Sequence, residues 1–112
     1  MRGGVVDSDR FLCVSTTLPS KVAADAMAAA LLESKQVACV QIFGPIQSIY
    51  RWKGQVERAE EWLCVSKTAA ACFPKIKETI LAHHSYEEPE IIATEIVDGS
   101  EGYLAWLRAQ LA

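Results

Sequence analysis

Adjacent histidines stand out in the stretch LAHHSYEEPEII, where His83 and His84 are followed by a tyrosine and three glutamates. Imidazole is the commonest metal ligand in proteins and changes its charge near neutral pH. The pair therefore allows two interpretations, a metal site or a polar helix end at which histidine interacts favourably with the helix dipole. Neighbouring residues of a helix point about 100° apart, so both rings can hold one ion only where the helix has unwound at His84.

Motifs of known catalytic sites are absent from the sequence. The chain contains no Gly-rich phosphate loop, no Ser-His-Asp arrangement and no HExxH helix. The four cysteines form no CxxC pair and lie in apolar or helical patterns, which favours reduced thiols over a disulfide framework or a zinc site. These cysteines are Cys13, Cys39, Cys64 and Cys72. We expect the protein not to be an enzyme.

Charge and hydropathy exclude two classes of partner. The formal net charge is −3, from 11 basic and 14 acidic residues of mixed distribution, so no basic stripe is available for nucleic acid. No window is apolar for long enough to span a bilayer, and the opening MRGGVVDSDR lacks the apolar segment of a signal peptide. We therefore expect a cytoplasmic protein that binds neither nucleic acid nor membranes.

The length of 112 residues corresponds to one domain with its own hydrophobic core. We predict a flexible N-terminal segment over residues 1–9 and a single domain over residues 10–112. RFLCVSTT is predicted as the first strand, and Ser20 is a good N-cap for the helix that follows. The apolar face of this helix is predicted from helical spacing. Its members are Val22, Ala23, Ala26, Met27, Ala30 and Leu31.

A long β-hairpin is predicted in the middle of the chain. VACVQIF and IQSIYRW read as one strand with a bend at Gly44 and Pro45, and QVERAEEWLCVSKT returns antiparallel after the turn at Lys53 and Gly54. A second helix follows, beginning near Pro74 and ending near His84. EIIATEIV is predicted as the fourth strand, and YLAWLRAQL as part of a terminal amphipathic helix.

This order of strands and helices predicts an α+β fold of the ferredoxin-like, split βαβ type, with an extra C-terminal helix. Helices would then cover one face of an antiparallel sheet and leave the other face and the hairpin edges bare. Tyr50, Trp52 and Trp62 all lie in that hairpin. An oligomer in which hairpins pair across subunits would bury both the bare face of the sheet and the hairpin edges.

Three segments of the chain resemble the CutA1 family of divalent cation tolerance proteins. They are the predicted hairpin, the stretch FPKIKETILAHHSYEEPEIIATEI and the sequence YLAWL. The resemblance extends from about Val14 to Leu107 and rests on S-x-Y-x-W-x-G, K-T and H-x-Y-x-x-P-E spacings. It implies a ferredoxin-like subunit assembled into a stable homotrimer through the long hairpin, with Tyr50 and Trp52 in the trimer interface. It also implies a role in tolerance of divalent ions, with copper (Cu²⁺) as the bound ion.

The resemblance places His83 and His84 on positions linked to copper in some bacterial members. Thr16 departs from those members, which carry a cysteine there as a further ligand, and a hydroxyl is a poor ligand for a soft ion. Four further positions match the family and imply a cleft between subunits, namely Glu61, Lys67, Tyr86 and Glu90. Two functions remain open, a metal-binding tolerance protein and a sensor that holds an anionic metabolite in that cleft.

Overall fold

A computed structural model describes residues 10–112, so the segment predicted as flexible, 1–9, lies outside the described residues. The elements are β1 (Phe11–Leu18), α1 (Lys21–Glu33), β2 (Cys39–Trp52), β3 (Gln55–Ala69), α2 (Phe73–His83), β4 (Ile92–Ile96) and α3 (Glu101–Ala109). The strand order in the sheet is β2-β3-β1-β4, and all three pairings are antiparallel. The predicted α+β, ferredoxin-like arrangement is confirmed.

Helix α1 begins where the sequence predicts it to begin. Ser20 has an extended backbone, and its Oγ accepts a hydrogen bond from the backbone N–H of Ala23 at 3.0 Å. The predicted apolar face is wrong at one edge, because Val22 is 79% exposed and Ala24 is buried instead. Alanines occupy so many positions of this helix that apolar spacing alone does not distinguish its faces.

The hairpin of β2 and β3 pairs from Cys39 opposite Lys67 to its tip, where Lys53 and Gly54 form a two-residue loop. Both loop residues have positive φ (49° and 81°), as the favoured hairpin turns require. A register shift between Phe43 and Ile46 confirms the predicted bend. At Gly44 an added Cβ would lie 2.2 Å from Cε3 of Trp62, so this position accommodates only glycine.

The core lies between α1, α2 and one face of the sheet. Leu12, Val14 and Leu18 of β1 pack there against Met27 and Leu31 of α1. Trp62 is partly buried against the same cluster, which makes it a core residue of the subunit. All four cysteines are free thiols, as predicted.

The other face of the sheet, called the open face below, carries the alternate residues of each strand. On β1 these include Cys13, Ser15 and Thr17, so Cys13 and the buried Thr16 lie on opposite faces, as the period of a strand requires. Helix α3 reaches the open face at one end, where the Tyr103 hydroxyl lies 3.9 Å from the Cys39 sulfur. Within residues 10–112 no helix is long and apolar enough to cross a membrane.

Candidate functional site

Helix α2 ends at the histidine pair. His83 is its last residue, and His84 is already extended (φ −98°, ψ 140°). This is the unwinding that a shared metal ion would need, and it also frees the two rings to point in different directions. Where the rings point therefore decides between the two interpretations of the pair.

Both ring nitrogens of His84 are bound to backbone groups. The backbone N–H of Tyr86 donates to Nδ1 at 3.2 Å, and Nε2 lies 2.8 Å from the carbonyl oxygen of Thr17. Because Nδ1 accepts a hydrogen bond, the proton must be on Nε2, which donates to that carbonyl. The ring also packs against Tyr86, with centroids 4.7 Å apart. His84 thus ties the end of α2 to β1.

His83 is exposed and uses one ring nitrogen. Its Nδ1 donates to the carbonyl oxygen of Thr79 at 2.9 Å, one turn back on α2. Its Nε2 has no partner in the described part of the chain. The pair therefore does not fit a copper site made of two imidazoles, because His84 would first have to give up a backbone hydrogen bond. Among residues 10–112 no group of three His, Cys, Asp or Glu side chains could hold a metal ion.

Thr16, the position implied as a further ligand, faces the core and is 1% exposed. It lies opposite Cys64 in the pairing of β1 with β3. Its Oγ1 is buried and has no hydrogen-bond partner among the described residues. Burial is the larger cause and the charge of Asp25 the smaller one that raise the pKa of Cys64 to about 11, so this thiol stays protonated.

A cavity of about 570 Å³ lies on the open face, between the hairpin and the loop of residues 84–90. Strands β1, β2 and β3 and that loop all contribute to its lining. The lining residues are Thr17, Ser48, Ile49, Tyr50, Trp52, Glu61, Tyr86, Glu87, Glu88 and Glu90. Three of the four predicted cleft residues, Glu61, Tyr86 and Glu90, are thereby brought together in one chain.

The polar centre of the cavity is a hydrogen bond from the Tyr86 hydroxyl to Oε2 of Glu61, 2.7 Å long. Glu61 is only 6% exposed. Burial, this hydrogen bond and the charge of Glu61 together raise the pKa of Tyr86 above its usual range. The phenol therefore remains protonated and donates to the carboxylate.

Lys67, the fourth predicted cleft residue, lies elsewhere. It is six positions further along β3 than Glu61, in register with Cys13 and Cys39. Its Nζ donates to Oε1 of Gln41. Whether a cleft between subunits brings these groups together stays a prediction.

Sequence reasoning missed five lining residues, Thr17, Ser48, Ile49, Glu87 and Glu88. Two signals could have found them. Ser48 alternates with Tyr50 along β2, and the two glutamates directly follow Tyr86. Thr17 has no signal of this kind, because its place depends on how β1 sits beside the hairpin.

One cation borders the cavity at the hairpin tip. Lys53 Nζ lies 3.5 Å from Oε2 of Glu87 and 5.7 Å from the centroid of the Trp52 ring. This ion pair links the hairpin to the 84–90 loop. Tyr50 and Trp52 themselves remain 44% and 38% exposed in the single chain.

The family described as CutA1 divalent ion tolerance protein matches residues 12–110. A divalent-cation tolerance protein CutA from Thermus thermophilus is 45% identical over 95 residues, which are 85% of this chain and 92% of that protein. A chloroplastic CutA of Arabidopsis thaliana is 36% identical over 97 residues, 87% of this chain and 53% of that protein, so the chain spans about half of that relative.

Solved structures agree with the sequence relatives. The crystal structure of CutA1 from Oryza sativa superposes with a TM-score of 0.90 at 33% identity, covering 96% of this chain and 98% of that one. The family match takes in every strand and helix except the first residue of β1. The chain belongs to the CutA1 divalent ion tolerance family.

Proposed function

We propose that the protein acts in divalent cation tolerance as a homotrimer that binds copper, without catalysing a reaction. Family membership supports the role in cation tolerance. The observation that carries the metal part is His83, an exposed imidazole whose Nε2 has no partner within residues 10–112. Imidazole suits copper, and Cu²⁺ heads the affinity series of the divalent first-row ions.

The affinity should be modest. His83 supplies one imidazole, His84 is held by backbone groups, and position 16 carries a threonine instead of a thiol. Water or a nearby oxygen would complete the coordination. Binding should weaken as the pH falls, because the imidazole must lose its proton before it can coordinate an ion.

Exposed apolar residues of the hairpin support the homotrimer. Ile49, Tyr50, Trp52 and Val56 are all between 38% and 58% exposed in the single chain, and β2 is an edge strand of the sheet. Large exposed apolar groups next to an unpaired strand edge are typical of association surfaces. Light scattering at micromolar concentration should give the mass of a trimer, and a monomer mass would contradict the proposal.

The cytoplasm is the proposed compartment, and four free cysteines fit a reducing environment. The alternative function, a sensor of an anionic metabolite, has less support. Among residues 10–112, the cavity is lined by four glutamates and by no lysine, arginine or histidine, so a single chain repels an anion there.

The proposal is tested by calorimetric titration of Cu²⁺ into the parent protein and into two variants, His83→Ala and His84→Ala. We expect His83→Ala to abolish the binding signal without changing the trimer mass. We expect His84→Ala to keep binding while losing stability. If His83→Ala binds copper as the parent does, His83 is only a helix-end residue and copper binding through this site must be abandoned.

A further inference from the structure

The hairpin has two exposed faces beyond its bend. Side chains alternate between the two faces of a strand, and Tyr50 lines the cavity on the open face. The opposite face carries two cross-strand pairs, which are Ile49 with Arg58 and Arg51 with Val56. These four residues form the outer face of the hairpin.

The outer face combines exposed apolar groups with positive charge. Ile49 and Val56 are 54% and 58% exposed. Arg51 and Arg58 are also exposed, and neither forms an ion pair within residues 10–112. Glu60 follows on the same side of the hairpin nearer the bend, so two arginines stand against one carboxylate there. Exposed apolar groups beside an unpaired strand edge are typical of association surfaces.

The cavity on the open face combines apolar groups with the opposite charge. Its aromatic wall belongs to the surface that we assign to the trimer interface. Glu88 and Glu90 are exposed lining residues and form no ion pair within residues 10–112, whereas Glu87 is paired with Lys53. The outer face and the cavity are therefore complementary in charge, and both have apolar groups to bury.

The two surfaces lie on opposite sides of one hairpin, so a chain cannot bring its own pair into contact. Two copies related by a two-fold axis would place like surfaces together, either carboxylates against carboxylates or arginines against arginines. The repulsion of like charges opposes both of these arrangements. A head-to-tail contact instead pairs unlike charges, and a closed ring of copies uses both surfaces of every copy.

We propose that the outer face of one copy docks into the cavity of the next copy, with Arg51 and Arg58 donating to the carboxylates of Glu88 and Glu90 of the partner subunit. Guanidinium and carboxylate groups form paired, charge-assisted hydrogen bonds, which fix the orientation of the contact. The inference rests on the proposed homotrimer and specifies the contact that builds it. The occupant of the cavity is thus a second copy of this chain.

An exchange of charges tests this contact in the full-length protein. The hairpin variant carries Arg51→Glu with Arg58→Glu, the loop variant carries Glu88→Arg with Glu90→Arg, and the combined variant carries all four changes. Sedimentation at a series of protein concentrations measures the dissociation constant of the trimer, in a fixed concentration of urea at which the parent begins to dissociate. Circular dichroism confirms that each variant is folded.

We expect the hairpin variant and the loop variant each to raise the trimer dissociation constant at least about tenfold, because like charges then meet at every contact. The combined variant should return to within about threefold of the parent, since the same pairs form with their charges reversed. High salt should reduce the losses in the hairpin and loop variants. A combined variant that dissociates as readily as the hairpin variant would overturn the proposal.

The matched control for the hairpin variant is Lys75→Glu with Lys77→Glu. This control makes the same change in net charge at exposed positions of α2 and should change the dissociation constant less than about twofold. Equal losses in the control and in the hairpin variant would show a general effect of net charge and overturn the proposal.

The mass of the parent separates this inference from the homotrimer on which it rests. A trimeric parent whose hairpin variant dissociates no more readily than the parent would overturn the docking contact and leave the homotrimer standing. A monomeric parent would contradict the homotrimer and, with it, this contact. A dimeric parent would show that like surfaces meet and would overturn the head-to-tail contact.

Discussion

The end of helix α2 and the cavity beside it use their polar atoms in opposite ways. At the helix end, both ring nitrogens of His84 bind backbone groups of Thr17 and Tyr86. In the cavity, Glu61 has one oxygen bound by Tyr86 and the other without a partner in the described chain. His84 is thus held entirely by backbone groups, while Glu61 is held by a single side-chain hydrogen bond.

Backbone hydrogen bonding explains the difference. The last turn of a helix and the end of a strand leave donors and acceptors unpaired, and a buried group of this kind must find a partner. His84 supplies one donor and one acceptor at once, and so satisfies the Thr17 carbonyl and the Tyr86 N–H. Glu61 bonds no backbone group within residues 10–112, and its hydrogen bond comes from the Tyr86 side chain.

The largest effect on the free energy of unfolding is expected from His84→Ala. The change removes two hydrogen bonds and the ring contact with Tyr86, and we expect it to lower the free energy of unfolding by about 2–3 kcal/mol. Urea unfolding at fixed protein concentration measures the loss. The matched control is His83→Ala, which should cost less than about 0.5 kcal/mol because its ring is exposed. Equal losses would contradict a structural role specific to His84.

Tyr86→Phe should have the next largest effect. Without the hydroxyl, the buried Glu61 loses its hydrogen bond, and we expect a loss of about 1–2 kcal/mol in the free energy of unfolding. The double variant Tyr86→Phe with Glu61→Gln completes a double-mutant cycle for the pair. A coupling free energy near zero would show that the hydrogen bond contributes nothing to stability.

Thr16→Val should act in the stabilising direction. The buried Oγ1 has no partner in the described chain, so replacing the hydroxyl by a methyl group should raise the free energy of unfolding by about 1 kcal/mol. Thermal unfolding measures the gain. Thr16→Ser keeps the hydroxyl as a control and should not stabilise. A valine variant less stable than the parent would show that the Thr16 hydroxyl is hydrogen-bonded in the folded protein.

The smallest effect on stability is expected at alkaline pH, where Tyr86 ionises and can no longer donate its hydrogen bond to Glu61. The pKa of Tyr86 is higher in the folded protein than the unfolded value of about 10. Its stabilising contribution is therefore fully present below pH ~10 and is lost as the pH rises through the folded pKa. Absorbance titration of tyrosinate should show a late ionisation step that vanishes in Tyr86→Phe.

Local patterns were enough to predict the elements of this fold. The hairpin could be predicted from the alternation of apolar residues, the bend at Gly44 and the turn at Lys53, because each of these depends only on neighbours in sequence. The state of His84 could not be predicted this way, because its partner Thr17 is 67 positions away. The cavity likewise joins Glu61 to Tyr86 across 25 positions. Lys67 was grouped with them by resemblance, and the single chain places it with Gln41.

The different roles of His83 and His84 are tested most directly by an NMR measurement of the imidazole nitrogens of both histidines during a Zn²⁺ titration. Zn²⁺ replaces copper here because it is diamagnetic and also binds imidazole. We expect His84 to be protonated on Nε2, to accept a hydrogen bond at Nδ1 and to keep its chemical shifts, while the Nε2 chemical shift of His83 changes with added metal. Nitrogens of both rings moving together, or a protonated Nδ1 on His84, would contradict it.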